Sequence, residues 1–401
     1  MRMLSSKNKD LFSFEFNQDP YPTFKNLREN EPTHLVKMKN GQYTWVVTKY
    51  EDAVAILKDP RFTKNFNYFG TEDNQDEELA NLLVQNMLFS DPPDHTRLRG
   101  LVQQAFTPRM IESLRGRIEE ITHELLDAIQ NKGYMNLIND FAFPLPIIVI
   151  CEMLGVPSKD RNEFRKWSNT LVDPPQEPER IEELQTHLEE FVAYLQLWFE
   201  QCRENPQNDL ISKLIQAEKD GDCLEEKELY GIVSLLIIAG HETTVNLITN
   251  GVYALLTHPD QKLRLQNEPN LIKSALEEIL RYNGPVQFST NRWATETIKL
   301  GDKTIHEGDQ VLVALNSANH DPGQFQDPEV FDITRGQNKH LAFGKGIHYC
   351  LGAPLARLEG EIAITALLKR MPEIRLAIEV ENLKWKPGML MRGLKELPVL
   401  F

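Results

Sequence analysis

The chain has 401 residues, 41 % hydrophobic and 26 % charged, which is enough for a large core in one big domain or two ordinary ones. Its formal net charge of −15 makes nucleic acid or an anionic membrane surface a poor partner. Met1 to Phe14 has no sustained apolar run, the most apolar stretch (Leu229 to Ala239) is short for a bilayer, and four scattered cysteines show no framework spacing; a cytoplasmic protein with free thiols is expected.

In chain order, the first legible element lies between Thr33 and Lys49. Leu35, Val36, Trp45, Val46 and Val47 flank Asn40-Gly41, the pattern of a type I′ hairpin. A helix from Glu51 to Lys58 follows and ends before Pro60. Residues 61–86 mix aromatic side chains with acids around Glu72 to Glu78, a substrate-facing loop or ordinary packing. Asp91 and the prolines behind it start a helix on which His95 and Arg99, four apart, share a face and suit two-point contact with a carboxylate. Arg97 points elsewhere.

Helices are then expected at Arg109–Asn131, Pro144–Leu154, Lys159–Leu171 and Glu179–Glu204. Breaks fall at Gly133, Gly155-Val156-Pro157, Asp173-Pro174-Pro175 and Asn205-Pro206. Trp167 and Leu171 are pocket candidates, although a Trp on an amphipathic helix is usually core. A long helix starts near Glu225 and runs to about Leu256. Inside it, Ala239-Gly240-His241-Glu242-Thr243-Thr244 places a glycine and two threonines where they are locally unfavourable. A hydroxyl bonding back to helix carbonyls beside a small residue opens a groove that fits a diatomic ligand and a water. His241 reads as structural.

The helix Asn270 to Tyr282 sets Glu278 and Arg281 at i, i+3, a common pair with little meaning by itself. Residues 285–315 alternate apolar and polar side chains between turns at Gly301-Asp302 and Glu307-Gly308, a small β region. Lys384 to Phe401 reads as a terminal hairpin whose turn carries Met389-Leu390-Met391. Apolar residues at a turn tip are poorly explained by solvent, so they read as pocket lining.

Between these two regions stands Phe343-Gly344-Lys345-Gly346-Ile347-His348-Tyr349-Cys350-Leu351-Gly352-Ala353, followed by helical periodicity to Arg370. Glycines place the lone cysteine on a tight turn at a helix N-terminus, where unpaired N–H groups favour a thiolate. No second Cys or His stands at zinc spacing. A haem iron needs only one axial cysteine.

The stretch resembles the haem-binding loop of the cytochrome P-450 family, F-G-x-G-x-H-x-C-x-G, at every fixed position. The resemblance extends along the chain, with motifs in the expected order, and points to the soluble bacterial branch that includes macrolide and polyketide hydroxylases. It implies one cytochrome P-450 domain over residues 1–401. The implied fold is mainly α with a smaller β-rich region, mainly 33–49, 285–315 and 384–401, and haem b between the long helix and the cysteine loop.

Residue by residue, the resemblance implies Cys350 as the axial iron ligand, with Phe343, Gly344, Gly346 and Ala239 around the haem. It implies His95, Arg99, Arg292 and His348 as propionate contacts. Glu242 and Thr243 match the acid and threonine of A-G-x-D/E-T-T/S, which support proton delivery to dioxygen. Phe288, Leu390 and Met391 become substrate contacts, with Ser289 and Thr290 passing the haem edge. The break at Asp173-Pro174-Pro175 resembles a mobile lid. Glu278 and Arg281 match E-x-x-R, with Arg335 as third charge where Val330 departs from the arginine of many eukaryotic members.

The implied reaction is insertion of one oxygen atom of dioxygen into a C–H or C=C bond of a bulky hydrophobic small molecule, such as a polyketide lactone or a statin-like or steroid-like compound. No flavin, nicotinamide or iron–sulfur fingerprint is present, so electrons come from a ferredoxin or flavodoxin with its reductase. A basic patch of Arg99, Arg109 and Lys345 is expected to receive that partner. A monomer is expected. Two further readings are a peroxide-driven or rearranging haem-thiolate enzyme, which has no need of Glu242 and Thr243, and a non-catalytic haem sensor or carrier.

Overall fold

A computed structural model describes residues 11, 13–38, 41–65, 85–157, 159–172, 181–219 and 221–401. Its principal helices are α1 (Asp94–Ala105), α2 (Arg115–Ile129), α3 (Pro144–Leu154), α4 (Arg161–Val172), α5 (Ile181–Glu204), α6 (Glu226–Thr257), α7 (Ile272–Tyr282) and α8 (Ala353–Arg370). The helix expected from Arg109 to Asn131 is broken at Leu114 into a short piece, Pro108–Ser113, and α2. Residues 66–84, which hold most of the aromatic and acidic loop, and 173–180, which hold the lid prolines, lie outside the described residues.

The 32-residue α6 is the spine of the molecule. A capping box starts it: Glu225 N–H donates to the Glu228 carboxylate at 2.9 Å. Among the described residues it alone is long and apolar enough to cross a membrane, so length does not exclude a span as expected. Burial decides instead, since 61 % of that apolar window is covered by the fold. α6 packs against α3, α7 and α8, and one hydrophobic core runs through these helices. His241 sits in that core, its Nε2 3.3 Å from the Phe143 carbonyl. Trp167 is also buried there and donates to Glu190 at 2.8 Å, so it leaves the pocket candidates.

The β-rich part contains eight strands that matter for the site: β1 (Thr33–Lys37), β2 (Tyr43–Val47), β3 (Phe62–Thr63), β4 (Tyr134–Asn136), β5 (Arg292–Ala294), β6 (Gln310–Val313), β7 (Arg375–Leu376) and β8 (Pro398–Leu400). Five form a mixed sheet in the order β1-β2-β6-β5-β3. β2 is antiparallel to β1 (Thr33 opposite Val47) and parallel to β6 (Val47 opposite Val313). β5 links β6 to β3, with Val311 opposite Arg292 and Phe62 opposite Ala294.

The β1–β2 hairpin forms where expected. Met38 N–H donates to Gln42 O at 2.7 Å, Gly41 N–H to Met38 O at 2.9 Å, and Gly41 takes φ +84° after the turn. Asn40 lies outside the described residues. The terminal hairpin spans Lys384 to Lys395, with Lys386 N–H donating to Gly393 O and Lys395 N–H to Lys384 O, both at 2.8 Å. Its continuation, β8, leaves it and pairs with β4 and β7.

Candidate active site

α6 and α8 run in the same direction and touch through glycines. A side chain at Gly360 would meet Leu247, and one at Gly251 would meet Ile364, so Leu247 pairs with Gly360 and Gly251 with Ile364. Eight residues back along each helix, about 12 Å along its axis, come Ala239 and the N-cap Gly352. There the helices no longer cover each other: Ile238 and Ala239 are exposed in the middle of a core helix, and Cys350 is exposed opposite. A gap therefore opens between the small-residue stretch of α6 and the cysteine loop.

The loop is held by its own backbone. Gly344 N–H donates to Leu341 O at 2.8 Å, and Cys350 N–H to Phe343 O at 2.9 Å. At Gly346, with φ +75°, a Cβ would stand 2.4 Å from the Leu57 carbonyl, so only glycine fits. Phe343 supports the turn from below, its ring 4.5 Å from the Arg357 guanidinium. Burial pushes the Cys350 thiol above its ordinary range, while the Gly352 and Ala353 N–H groups and the Arg99 and Arg357 charges pull it down. The N–H groups at the start of α8 oppose that push and act in the direction expected from sequence.

Beside the loop lies a buried basic cluster. The His95 and His348 rings are 4.4 Å apart, and both His95 nitrogens and His348 Nε2 lack hydrogen-bond partners. Arg292 is 4 % exposed and makes one long bond, to Thr290 O at 3.4 Å. Arg99 donates to the Tyr349 carbonyl at 2.7 Å and so ties α1 to the loop. Burial, then the Lys64, His95, Arg292 and Arg99 charges, drive His348 down to about 2. Arg292 falls to about 10 by burial, with Asp91 opposing. Asp91 is the carboxylate that acts on this cluster, and burial pushes the basic side chains toward their neutral forms, so a bound anion would favour their charged forms.

Lys64 belongs to this cluster and escaped the sequence reading. It is 1 % exposed, its Nζ lies 5.9 Å from the Phe89 ring, and its charge acts on His95 and His348. Burial and Arg292 hold it well below the ordinary lysine range. Asp91 anchors its backbone, accepting from Lys64 N–H at 3.2 Å and from the Thr63 hydroxyl. A lone lysine after a two-residue strand carries no pattern that would reveal this. Arg97 does point elsewhere, to Asp222 at 3.3 Å and to Glu228.

On the α6 side, Thr243 Oγ1 donates to Ala239 O at 2.5 Å and Thr244 Oγ1 to Gly240 O at 3.0 Å. Two successive back-bonds occupy these carbonyls with side-chain hydroxyls, the source of the local groove. Glu242 is partly exposed, with Lys386 Nζ 3.4 Å from its Oε1.

The proposed substrate contacts divide. Leu390 is 37 % exposed and Met391 half-buried, at a turn beside Val286 and Gln287; Gln287 N–H donates to Leu390 O at 2.8 Å. Phe288 is a correction: it is fully buried, its ring 5.7 Å from Phe24, in a cluster with Val46 and Leu312. It lies outside any strand, bridged to Ala314, with its neighbours Gln287 and Ser289 buried as well.

One exposed cysteine, beside a cluster of basic side chains that only partly meets a carboxylate at Asp91, suits a planar dianionic group with a single axial thiolate. That is the construction of a haem-thiolate protein. Residues 10–372 match the family described as Cytochrome P450. A Bacillus subtilis protein named Cytochrome P450 is 47 % identical over 98 % of this chain and 96 % of its own length. The 6-deoxyerythronolide B hydroxylase of Saccharopolyspora erythraea is 43 % identical, covering 97 % and 98 % respectively. The structure of the Bacillus subtilis bacillaene polyketide synthase cytochrome P450 PksS superposes with a TM-score of 0.92 at 43 % identity, over 97 % of this chain and 98 % of that one.

The chain belongs to the cytochrome P450 family. It is a haem-thiolate monooxygenase acting on a bulky hydrophobic substrate, with Cys350 supplying the axial thiolate.

Proposed function

We propose that this enzyme hydroxylates or epoxidises an apolar lactone of the polyketide type, working as a cytoplasmic monomer with electrons from a ferredoxin or flavodoxin and its reductase. The observation that carries the reading is the gap at Ala239, bounded by an acid and hydroxyl pair on the same helix and accompanied by an exposed apolar turn tip. The polyketide-related relatives support the substrate class.

In this reading His95, Arg99, Arg292 and His348, joined by Lys64, hold the two propionates. Phe343, Gly344 and Gly346 shape the loop, and Ala239 leaves room above the ring. When bound, the haem supplies activation of dioxygen and insertion of one oxygen atom into the substrate. The Thr243 hydroxyl donates its hydrogen to Ala239 O, so its lone pairs stay open to accept a hydrogen bond from a proton donor on the Glu242 side. Leu390 and Met391 bind apolar surface and keep water out.

Thr243→Ala is expected to keep haem but lower product per NADH roughly tenfold, with peroxide rising in step, within what a positioned acid supplies. Unchanged coupling would remove the pair from proton delivery. Titration of the ferric protein with macrolactones, sterols and long-chain fatty acids tests the substrate class. Macrolactones should displace the iron-bound water; a response to sterols alone would overturn the assignment.

Reduction is proposed to occur at the cysteine face. Exposed Ile347 (49 %) and Tyr349 (39 %) lie there beside Lys345, with Arg99 tied to the loop and Arg109 on a helix packed against α8. Lys345→Glu should slow reduction by a ferredoxin several-fold at low salt and little at high salt, read by stopped flow. Equal rates at low salt would move the partner elsewhere.

A further inference from the structure

α7 carries two neighbouring acids that serve different arginines. Glu278 faces the interior and holds Arg281 and Arg335. Glu277, one residue earlier and so about 100° around the helix, reaches α8. There it takes Arg357 in a two-pronged pair, Nε donating to Oε1 at 2.6 Å and Nη2 to Oε2 at 2.9 Å. A third bond comes from His340 Nε2 at 3.1 Å; His340 Nδ1 accepts from Ala342 N–H at 3.2 Å, which leaves Nε2 as the donor. Burial pushes the Glu277 carboxyl up, but Arg357 and His340 overcome it and hold the group down to about 2.

Arg357 lies in the second turn of α8, and its head turns back under the cysteine loop. The guanidinium is 4.5 Å from the Phe343 ring, and Nη1 is 3.4 Å from the Tyr349 hydroxyl. Phe343 in turn accepts the Cys350 N–H at its carbonyl. Arg357 therefore touches both arms of the loop that carries the sulfur, and its charge acts on Cys350. Arg99 acts on the same sulfur but donates to a neutral carbonyl, that of Tyr349. Arg357, by contrast, is matched by a carboxylate.

We propose that Glu277 is a positioning residue for the axial ligand: it pins Arg357 under the cysteine loop and offsets its charge, so that the pair together sets the field at Cys350 and the reduction potential of the bound haem. Reduction adds one electron from an external donor and makes the iron–thiolate unit more negative, with no bond formed or broken at these side chains. An unmatched guanidinium beside the sulfur favours the reduced form, and an unmatched carboxylate the oxidised one. The intact pair has no net charge and favours neither.

The test is a spectroelectrochemical titration of the substrate-free holoenzyme, with mediator dyes carrying the electrons. Glu277→Gln should favour ferrous haem about threefold, a rise of about 30 mV at 59 mV per tenfold for one electron, and Arg357→Gln should favour the ferric form by as much. The double variant, again without net charge, should return to the parent midpoint. Loss of a merely structural clamp would move both single variants the same way. Shifts of one sign in both, a double variant that keeps either shift, or parent midpoints throughout would overturn the proposal. If Glu277→Gln does not fold, the Arg357 variants decide alone. Arg357→Gln must then fall while Arg357→Lys, which keeps the charge, stays near the parent; any other pattern overturns the proposal.

Discussion

Glu278→Ala is expected to lose about 3–5 kcal/mol of stability, the range for removing one partner of a buried ion pair. Glu278 and Arg281 are fully buried, with Arg281 Nε and an Nη each donating to the carboxylate at 2.8 Å. Arg335 Nε adds a bond at 3.0 Å, Asn338 another at 3.0 Å, and the Asp332 N–H a third at 3.0 Å. Val330 contributes its carbonyl, which accepts from both arginines. Without the carboxylate, two guanidiniums face each other in the interior with only backbone carbonyls to hold them. Against a total of about 5–15 kcal/mol, that removes a third or more of the stability of a typical domain. Urea titration followed by circular dichroism is the measurement. A midpoint loss worth under about 1 kcal/mol would show the triad to be a surface-like pair, contrary to its burial.

Cys350→Ala is expected to abolish product formation and the strongly red-shifted Soret band of the ferrous carbon monoxide complex. The two readouts separate ligand from fold. The basic cluster, with its unpartnered His95 and His348 nitrogens, does not depend on the sulfur, so the variant should still take up haem more weakly and show a spectrum of another ligand class. A retained thiolate spectrum would mean that another cysteine reaches the iron. Cys151 and Cys202 are buried in the helical core, and burial pushes both thiols up, so neither is suited to do so.

What the sequence made legible was local. The cysteine loop, the Ala239 to Thr244 interruption and the Glu278–Arg281 spacing each sit within a dozen residues, and turn or helix geometry reads them directly. What it hid was decided across the fold. Parallel pairing of Val47 with Val313 has no local signature. Lys64 gains meaning only when β3 lies beside β5 and brings it near Arg292. Phe288 is a substrate contact only by resemblance, whereas its burial is set by packing against Phe24, far away in sequence. Helix ends likewise depended on context, as at Leu114, where Gly116 two residues on is the one local hint of a break.

The glycine contacts between α6 and α8 act as the pivot of a pair of tongs. A side chain at Gly360 would meet Leu276 at 2.9 Å as well as Leu247, and one at Gly251 would meet Ile364 at 3.0 Å. Levering the helices apart there would widen the jaws, at Ala239 and Cys350, by more than the displacement at the pivot. The contacts that fix how closely α6 and α8 approach thus lie away from the hairpin tip, so a change at Leu390 or Met391 leaves that approach untouched.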